Sequence, residues 1–242
     1  MRVSVIVPAY NEEKTIADVL TSLLKEVPTI YEIIVVDDGS KDQTAAITDS
    51  MAREHQQIRL ICQPRNMGKT AALRTGFAAS TGDIVIVQDA DLEYDPVDIP
   101  SLIEPIERGK ADVCYGSRFM IRRAARVLYF RHYLANQFLT FLSNIFTDLN
   151  LSDVETGYKA FRGEIIRNMI IETRGFGFEI EVTAKVAKLK CRVYEVPISY
   201  HGRTYEEGKK IGFKDGLDAI WYVFKYNLLV GLSASYTRPP QL

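Results

Sequence analysis

Two aspartates separated by one residue, Asp89-Ala90-Asp91, stand directly after the run Ile84-Val85-Ile86-Val87-Gln88. Carboxylates so spaced at a strand end can share a hard divalent cation. Such a cation bridges the phosphates of a nucleotide and neutralises the charge that grows on them as they leave. The bland alternative is a pair of loop aspartates, one capping a helix that begins near Pro96. Asp37-Asp38-Gly39-Ser40 closes an earlier apolar run. A carboxylate there could accept from a base edge or a ribose hydroxyl. It could equally belong to a turn in which Gly39 supplies an unusual backbone angle and Ser40 or Asp42 caps the next helix. Asn66-Met67-Gly68-Lys69 opens a further helix, where backbone N–H groups and a cation could face phosphate or base. An ordinary glycine turn is the competing reading. Neither the glycine fingerprint of dinucleotide folds nor a P-loop occurs, so those chemistries lose their support.

The elements that must carry these residues follow from hydrophobic patterning. Four β-branched runs, Val3 to Val7, Glu32 to Val36, Ile58 to Cys62 and Asp83 to Val87, alternate with segments of helical spacing such as Ile16, Leu20, Leu23 and Leu24. Runs apolar on consecutive positions are buried on both faces, the mark of a parallel sheet covered by helices. Strand and helix in alternation read as a doubly wound α/β sheet, mostly parallel, with helices on both faces. A helix around Pro96 to Arg108 leads to another strand, Asp112 to Tyr115. Ligands of such sheets bind outside the carboxyl ends of the strands. Five polar segments converge there: Pro8 to Glu12, Asp37 to Ser40, Arg65 to Lys69, Asp89 to Asp91 and Gly116 to Arg118.

Composition bounds the rest. The 242 residues carry 30 basic and 31 acidic side chains, a net charge of -1, which argues against a general nucleic-acid binder. Cys62, Cys114 and Cys191 are odd in number, far apart and set in apolar runs, so neither a zinc cluster nor a disulfide framework is expected and a reducing cytoplasm fits. The apolar run at the N-terminus is too short for a signal peptide, and no stretch is long and apolar enough for a transmembrane helix.

The second half changes character. Between Arg118 and Thr147 there are five arginines and no acidic residue, with aromatics interleaved. A basic, aromatic-rich helix is a candidate for lying on an anionic membrane, and a core or dimer helix with a solvated basic end is the alternative. Helices near Gly163 to Ile171 and Glu179 to Leu189, a strand over Val193 to Ile198 and a last helix over about Phe213 to Tyr226 complete the pattern. One domain over 1–226 is expected, in two halves (1–117 and 118–226), followed by a C-terminal tail (227–242).

Taken together and in order, Val7-Pro8-Ala9-Tyr10-Asn11-Glu12-Glu13, Val35-Val36-Asp37-Asp38-Gly39-Ser40, Asn66-x-Gly68-Lys69 and Asp89-Ala90-Asp91 resemble the family 2 glycosyltransferases. The likeness is nearest to the branch of dolichol-phosphate mannosyltransferase and related polyprenyl-phosphate hexosyltransferases. Gly116-Ser117-Arg118, Glu155 to Arg162 and Tyr200-His201-Gly202-Arg203 extend it to about Tyr226. The resemblance implies the GT-A nucleotide-diphospho-sugar fold and an inverting transfer of mannose or glucose from GDP-mannose or UDP-glucose to a polyprenyl or dolichyl phosphate. By the same resemblance Pro8, Tyr10, Glu12, Asp38, Gly68 and Lys69 would contact the nucleoside. Asp89 and Asp91 would bind Mg²⁺ or Mn²⁺ and the sugar diphosphate, and Glu93 stands where the branch often has a glutamine that joins the metal. Arg118, Arg131 and Arg203 would hold the acceptor phosphate.

Arginine's planar fork suits phosphate oxygens, which supports that assignment independently. An acceptor phosphate already carries its charge and needs no general base. Lys209, in a loop with Gly208, could fold over the acceptor. A histidine base at His132 or His201 is not expected. Transfer to a glycan, protein or small hydroxyl would need a base, for which Asp153 and Glu155 are the candidates. A non-catalytic nucleotide-sugar-binding protein would have no chemical reason to keep Asp89 and Asp91 paired. Location at the cytoplasmic face of a membrane is expected, with a separate anchoring partner or a homo-oligomer as further partners.

Overall fold

The computed structural model describes residues 1–27, 29–120, 129–173, 175, 177–202 and 213–240. Seven strands form one sheet: β1 (Val3–Ala9), β2 (Ile30–Asp37), β3 (Ile58–Cys62), β4 (Ile84–Val87), β5 (Val113–Ser117), β6 (Lys159–Arg162) and β7 (Val193–Pro197). Their order is β3-β2-β1-β4-β6-β5-β7. Alternate residues of one strand go to opposite faces, and the packing follows that rule. Val3, Val5 and Val7 of β1 join a cluster with Ile33, Val35, Ile84 and Ile86. Ile6 joins a second cluster with Ile34, Val36, Val85 and Val87 on the other face.

Helices cover both faces. The chain order is α1 (Ile16–Glu26), α2 (Thr44–Glu54), α3 (Lys69–Ala79), α4 (Ile99–Glu107), α5 (Phe130–Thr147), α6 (Gly163–Asn168), α7 (Phe178–Lys188), α8 (Phe213–Phe224) and α9 (Leu232–Ser235). Val19, Leu20 and Leu23 bury one stripe of α1 against the first cluster, and Ala72, Leu73 and Phe77 of α3 seal the second. A short 3-10 turn, Pro96–Asp98, precedes α4; Asp95 caps it by accepting from Val97 N–H at 3.0 Å.

The strand missing from the patterning is β6. It runs antiparallel to both β4 and β5, while β1 pairs parallel with β2 and β4, β2 with β3, and β5 with β7. Only four residues long and spelled Lys-Ala-Phe-Arg, it offers no β-branched run to signal it. Its reversal matters for function. The carboxyl edge of the sheet is the amino end of β6, so the segment before it, residues 152–158, is delivered to the same edge as the ends of β4 and β5.

Two further differences lie beyond the sheet. The helix expected to run to Tyr226 leaves α-geometry at Lys225, where a π-helical turn spans Lys225–Leu229. The segment beyond 226, expected as a tail, packs back in part. Tyr236 is buried, donates to the Lys185 carbonyl at 3.0 Å and pairs with Met169, and Ile170 N–H donates to the Ser235 carbonyl at 2.9 Å.

Candidate active site

The polar strand ends converge on one cavity of about 880 Å³. Pro8, Tyr10 and Glu12 reach it from β1, Asp38 from β2, Gly68 and Lys69 from the start of α3, Asp89, Asp91 and Glu93 from β4, and Arg118 from β5. Ten residues singled out in the sequence are thus brought together. Arg131 is not among them. It lies on the exposed first turn of α5, beside His132 and Tyr133, which do line the cavity. Arg203 and Lys209 lie outside the described residues.

The second strand end serves the fold at least as directly as it faces a ligand. Asp38 accepts from the backbone N–H of Met67 at 2.8 Å and of Gly68 at 2.7 Å, tying β2 to the turn that opens α3. Gly39 (φ +72°) passes so near this turn that a Cβ on it would meet Arg65 backbone atoms at 2.7 Å. Gly68 (φ +91°) also occupies backbone space that side chains avoid. Asp37 accepts from Ser40 N–H at 3.1 Å, which closes the tight turn.

Lys69 reaches from the first turn of α3 to Asp89, 2.7 Å from Oδ1 and 3.0 Å from Oδ2, and lies 3.8 Å from Glu179 at the start of α7. Burial works to lower the Lys69 pKa, but the Asp89 and Glu179 carboxylates prevail and hold it above the ordinary lysine range. Asp91 accepts from Glu93 N–H at 3.2 Å. The Glu93 carboxylate accepts from the Tyr200 hydroxyl at 2.8 Å. Among the described residues no three acidic, histidine or cysteine side chains cluster closely enough to hold a metal ion. Glu93, the expected third ligand, accepts from Tyr200 and forms no ready-made cluster with Asp89 and Asp91 among the described residues. The donor set that remains is hard oxygen, and Asp89 already holds a cation, the Lys69 ammonium. Those features fit Mg²⁺ or Mn²⁺, ions that are commonly held by one or two carboxylates and completed by substrate phosphates.

On the other side of the cavity Arg118 forms a fork with Asp153, Nε to Oδ2 at 2.6 Å and Nη2 to Oδ1 at 2.7 Å. Its guanidinium lies over the Tyr200 ring, 5.1 Å from the centroid. Burial opposes the charge on Arg118, yet Asp153 more than offsets it and raises the pKa well above the usual value. Asp153 is wholly buried and also accepts from Asn136 of α5 at 3.3 Å, so it is committed to holding arginine.

Tyr94 and Glu179 were not singled out from the sequence, and Glu155 was named there only as a candidate base and within the family-like segment. Tyr94 stacks on Tyr158 with ring centroids 4.8 Å apart, and its hydroxyl accepts from Gly157 N–H at 2.9 Å. Burial pushes the Tyr94 phenol up to about 12. A Cβ on Gly157 would fall 2.9 Å from Asp89 Oδ2, so only glycine lets the 152–158 segment run against that carboxylate. Glu155 and Glu179 face the same cavity. Burial, reinforced by Glu179, pushes the Glu155 carboxyl upward, and burial pushes the neighbouring Lys159 ammonium downward. No strand-end rule finds these groups, because they arrive on the antiparallel β6 and on a helix start. Glu155-Thr156-Gly157 before an aromatic was the one available signal.

The family description "Glycosyl transferase family 2" matches residues 4–170. This chain belongs to that family. It is 30% identical over 222 residues to an undecaprenyl-phosphate mannosyltransferase of Micrococcus luteus, covering 88% of each protein. It is 29% identical to a dolichol-phosphate mannosyltransferase of Pyrococcus furiosus, covering 88% of this chain but spanning 60% of that relative. Among solved structures, glucosyl-3-phosphoglycerate synthase from Mycobacterium tuberculosis in complex with Mn²⁺, uridine diphosphate and phosphoglyceric acid superposes with a TM-score of 0.72 at 22% identity, over 93% of this chain and 78% of that one. That likeness bears on the fold, which is the expected GT-A architecture. The family 2 chain is thus a glycosyltransferase, and its mostly parallel sheet with one reversed strand is the scaffold on which the cavity is built.

Proposed function

We propose that this family 2 enzyme moves a hexose, mannose in preference to glucose, from a nucleotide-diphospho-sugar to a polyprenyl phosphate with inversion at the anomeric carbon. The observation that carries the reading is one cavity with two chemically different walls. Asp89 and Asp91 stand at the end of β4, and Arg118 stands at the end of β5. One strand, β6, separates β4 from β5, so at ~4.8 Å per strand the two walls are roughly 10 Å apart. A pyranose fits between a departing diphosphate and an attacking phosphate at that separation. Names of relatives support both substrates, since two mannosyltransferases named for polyprenyl-type phosphates share about 30% of this sequence.

In this reading Pro8, Tyr10, Glu12, Asp38 and Gly68 flank the nucleoside in the 1–117 half, and Asp89 and Asp91 hold Mg²⁺ or Mn²⁺ against the diphosphate. The ion, when bound, neutralises charge on the leaving group. Lys69 adds a cation on the same side. In the 118–226 half Arg118 orients the acceptor phosphate; Arg131, on the exposed first turn of α5, and Arg203 and Lys209, outside the described residues, are assigned to the acceptor by the family resemblance alone. An oxygen of the acceptor phosphate forms the new bond to the anomeric carbon as the bond to the nucleoside diphosphate breaks. That oxygen needs no base, and catalysis rests on positioning and on stabilising the departing charge. A hydroxyl acceptor would need one, and Asp153, one of its two candidates, is held on Arg118.

The lipid part of the acceptor has a matching surface. The cavity wall continues into Phe138 and Leu139 of α5 and Leu217 and Ile220 of α8. Outward from it Phe130, Leu134, Phe141 and Ile145 of α5 and Trp221 of α8 are exposed, followed by Leu228 and Leu229 of the π-turn. Such a face suits the surface of a membrane, here assigned to its cytoplasmic side, with the exposed Arg131 at the start of α5 toward anionic headgroups. No described helix is long and apolar enough to cross the membrane. A separate anchoring partner or a second copy of the chain are the alternative occupants of that face.

The test is to incubate the protein with radiolabelled GDP-mannose or UDP-glucose, Mn²⁺ and a short polyprenyl phosphate in detergent. Label should enter the lipid phase. Hydrolysis of the donor with no lipid product, or label appearing only in a glycan or hydroxyl acceptor, would overturn the proposal.

A further inference from the structure

Resting on the proposed transfer of a hexose, the identity of the group that reads the sugar can be sought in the strip of wall between its two ends. The leaving diphosphate and the attacking phosphate stand on opposite sides of the anomeric carbon in an inverting displacement. The sugar ring must therefore lie between Asp89 and Arg118. The segment that crosses this interval is the one that enters β6, and its Gly157 runs against Asp89 Oδ2. Two residues earlier, Glu155 lines the cavity.

The polar groups around Glu155 are committed elsewhere. Asp153 holds Arg118 with both oxygens. Asp89 holds Lys69 with both of its own, and Glu179 lies 3.8 Å from the same ammonium. Lys159 donates to the carbonyls of Val154 and Thr156. Glu155 Oε1, by contrast, is shut off from water with no hydrogen-bond partner among the described residues. A buried carboxyl oxygen without a partner is costly and calls for an explanation. The last torsion of a glutamate is soft, so either oxygen can be turned to the cavity. A pyranose offers the complement, hydroxyls that both donate and accept.

We propose that Glu155 is the sugar-reading residue: its carboxyl hydrogen-bonds a ring hydroxyl of the donor hexose and selects among hexoses that differ in the orientation of one hydroxyl. Its elevated carboxyl pKa, set by burial and by Glu179, fits a group that can donate as well as accept. A site built around a hydroxyl rejects an analogue that presents it wrongly, because the protein's own polar group is then left unpaired.

The experiment compares wild type with Glu155→Gln and Glu155→Ala by titration calorimetry with Mn²⁺, using GDP, GDP-mannose and GDP-glucose, or the uridine set where that is the pair wild type binds. Glu155→Ala should weaken the preferred nucleotide sugar roughly tenfold or more, leave the bare nucleoside diphosphate within about twofold, and shrink the preference between the two epimers in both binding and kcat/KM. Glu155→Gln should fall between. Equal weakening of sugar and bare nucleotide, or an unchanged preference, would overturn the assignment. Where Glu155→Ala fails to fold, the epimer preference of Glu155→Gln decides. Should wild type bind donors yet make no lipid product, the acceptor reading fails while the binding comparison still settles Glu155. Should it bind no nucleotide sugar, both fall.

Discussion

The two walls of the cavity are built in different ways. The donor wall stands on β1, β2 and β4, central strands buried on both faces, and its side chains are tied to one another by the fold: Asp38 to the α3 turn, Lys69 to Asp89. The acceptor wall has one rigid post, the Arg118–Asp153 fork at the end of β5, and otherwise rests on α5 and α8, which pack on α7 through the small cluster of Leu139, Val154, Ile180, Ala219 and Val223. A donor nucleotide is a constant, polar object and suits a rigid edge. A lipid-borne acceptor brings a long apolar chain, and the helices around it keep apolar faces turned outward. Under the proposed function, one wall would hold charge still and the other would meet a greasy surface.

If that contrast is right, the largest effect belongs to the donor wall. Asp89→Asn should cut transfer by about a thousandfold or more, since it removes a charge that both the metal and Lys69 would use. Steady-state transfer of labelled hexose measures it. Asp91→Asn should behave alike. Near-wild-type turnover in either variant would remove the metal from that edge and dissolve the contrast.

Next comes the post of the acceptor wall. Arg118→Ala leaves Asp153 buried without its partner, and breaking such a pair costs about 3 kcal/mol or more. It should therefore lower the melting temperature as well as acceptor use. Arg118→Lys keeps the charge but not the fork. It should raise the KM for polyprenyl phosphate by about tenfold or more while donor affinity, measured by calorimetry, stays within about twofold. A variant that weakened donor and acceptor equally would make the two walls one.

The same contrast explains what could be read without coordinates. Donor-wall residues lie where a long apolar strand meets a polar turn, and periodicity locates such junctions well: Ile58–Cys62 matches its expected span, and the ends of β1, β2 and β4 fall within two residues of theirs. Strand-end logic then brings Pro8, Asp38, Lys69 and Asp89 together correctly. The same rule finds Arg118 at the end of β5, but the rest of the acceptor wall follows from no such rule. β6 has four residues and one of them is a lysine, wholly buried, whose ammonium is satisfied by two carbonyls. Such a strand looks like a polar loop until its neighbours are known. Glu93 shows a different limit. The family resemblance suggests it as a metal ligand, and its carboxylate also accepts from the Tyr200 hydroxyl, 107 residues away in sequence, a partner that only tertiary structure brings there.

A smaller effect tests the outward face of the acceptor wall. Phe141→Ser with Trp221→Ser removes two large exposed apolar side chains, one on α5 and one on α8. Being exposed, they should change stability little. Binding to vesicles containing anionic lipid, followed by co-sedimentation, should fall by about tenfold or more, while transfer to a short acceptor in detergent stays near wild type. Unchanged vesicle binding, with a dimer that dissociates on the same substitutions, would assign the face to a second copy instead.

The smallest effect lies where both walls are remote, and it serves as their common control. Asp112, at the opposite edge of the sheet, receives Arg192 in a fork (Nε to Oδ2 at 3.0 Å, Nη2 to Oδ1 at 2.7 Å) and lies 3.1 Å from Arg162 Nε, tying the start of β5 to the start of β7 and the end of β6. Hydrogen bonds from Arg192, against a smaller opposing effect of burial, hold its carboxyl below the ordinary aspartate range. A depressed folded-state pKa stabilises fully above the unfolded value, about 4, and the contribution disappears as pH falls through the lower folded value. Half-exposed Arg192 weakens the pair through solvent screening, so Asp112→Asn should cost only about 1 kcal/mol at neutral pH. Denaturant melts at pH 7 and pH 3 should show the variant's deficit shrinking in acid, with donor and acceptor kinetics unchanged at pH 7. A kinetic effect confined to the acceptor would mean that the β5–β7 edge, rather than the Arg118 post alone, sets the position of that wall.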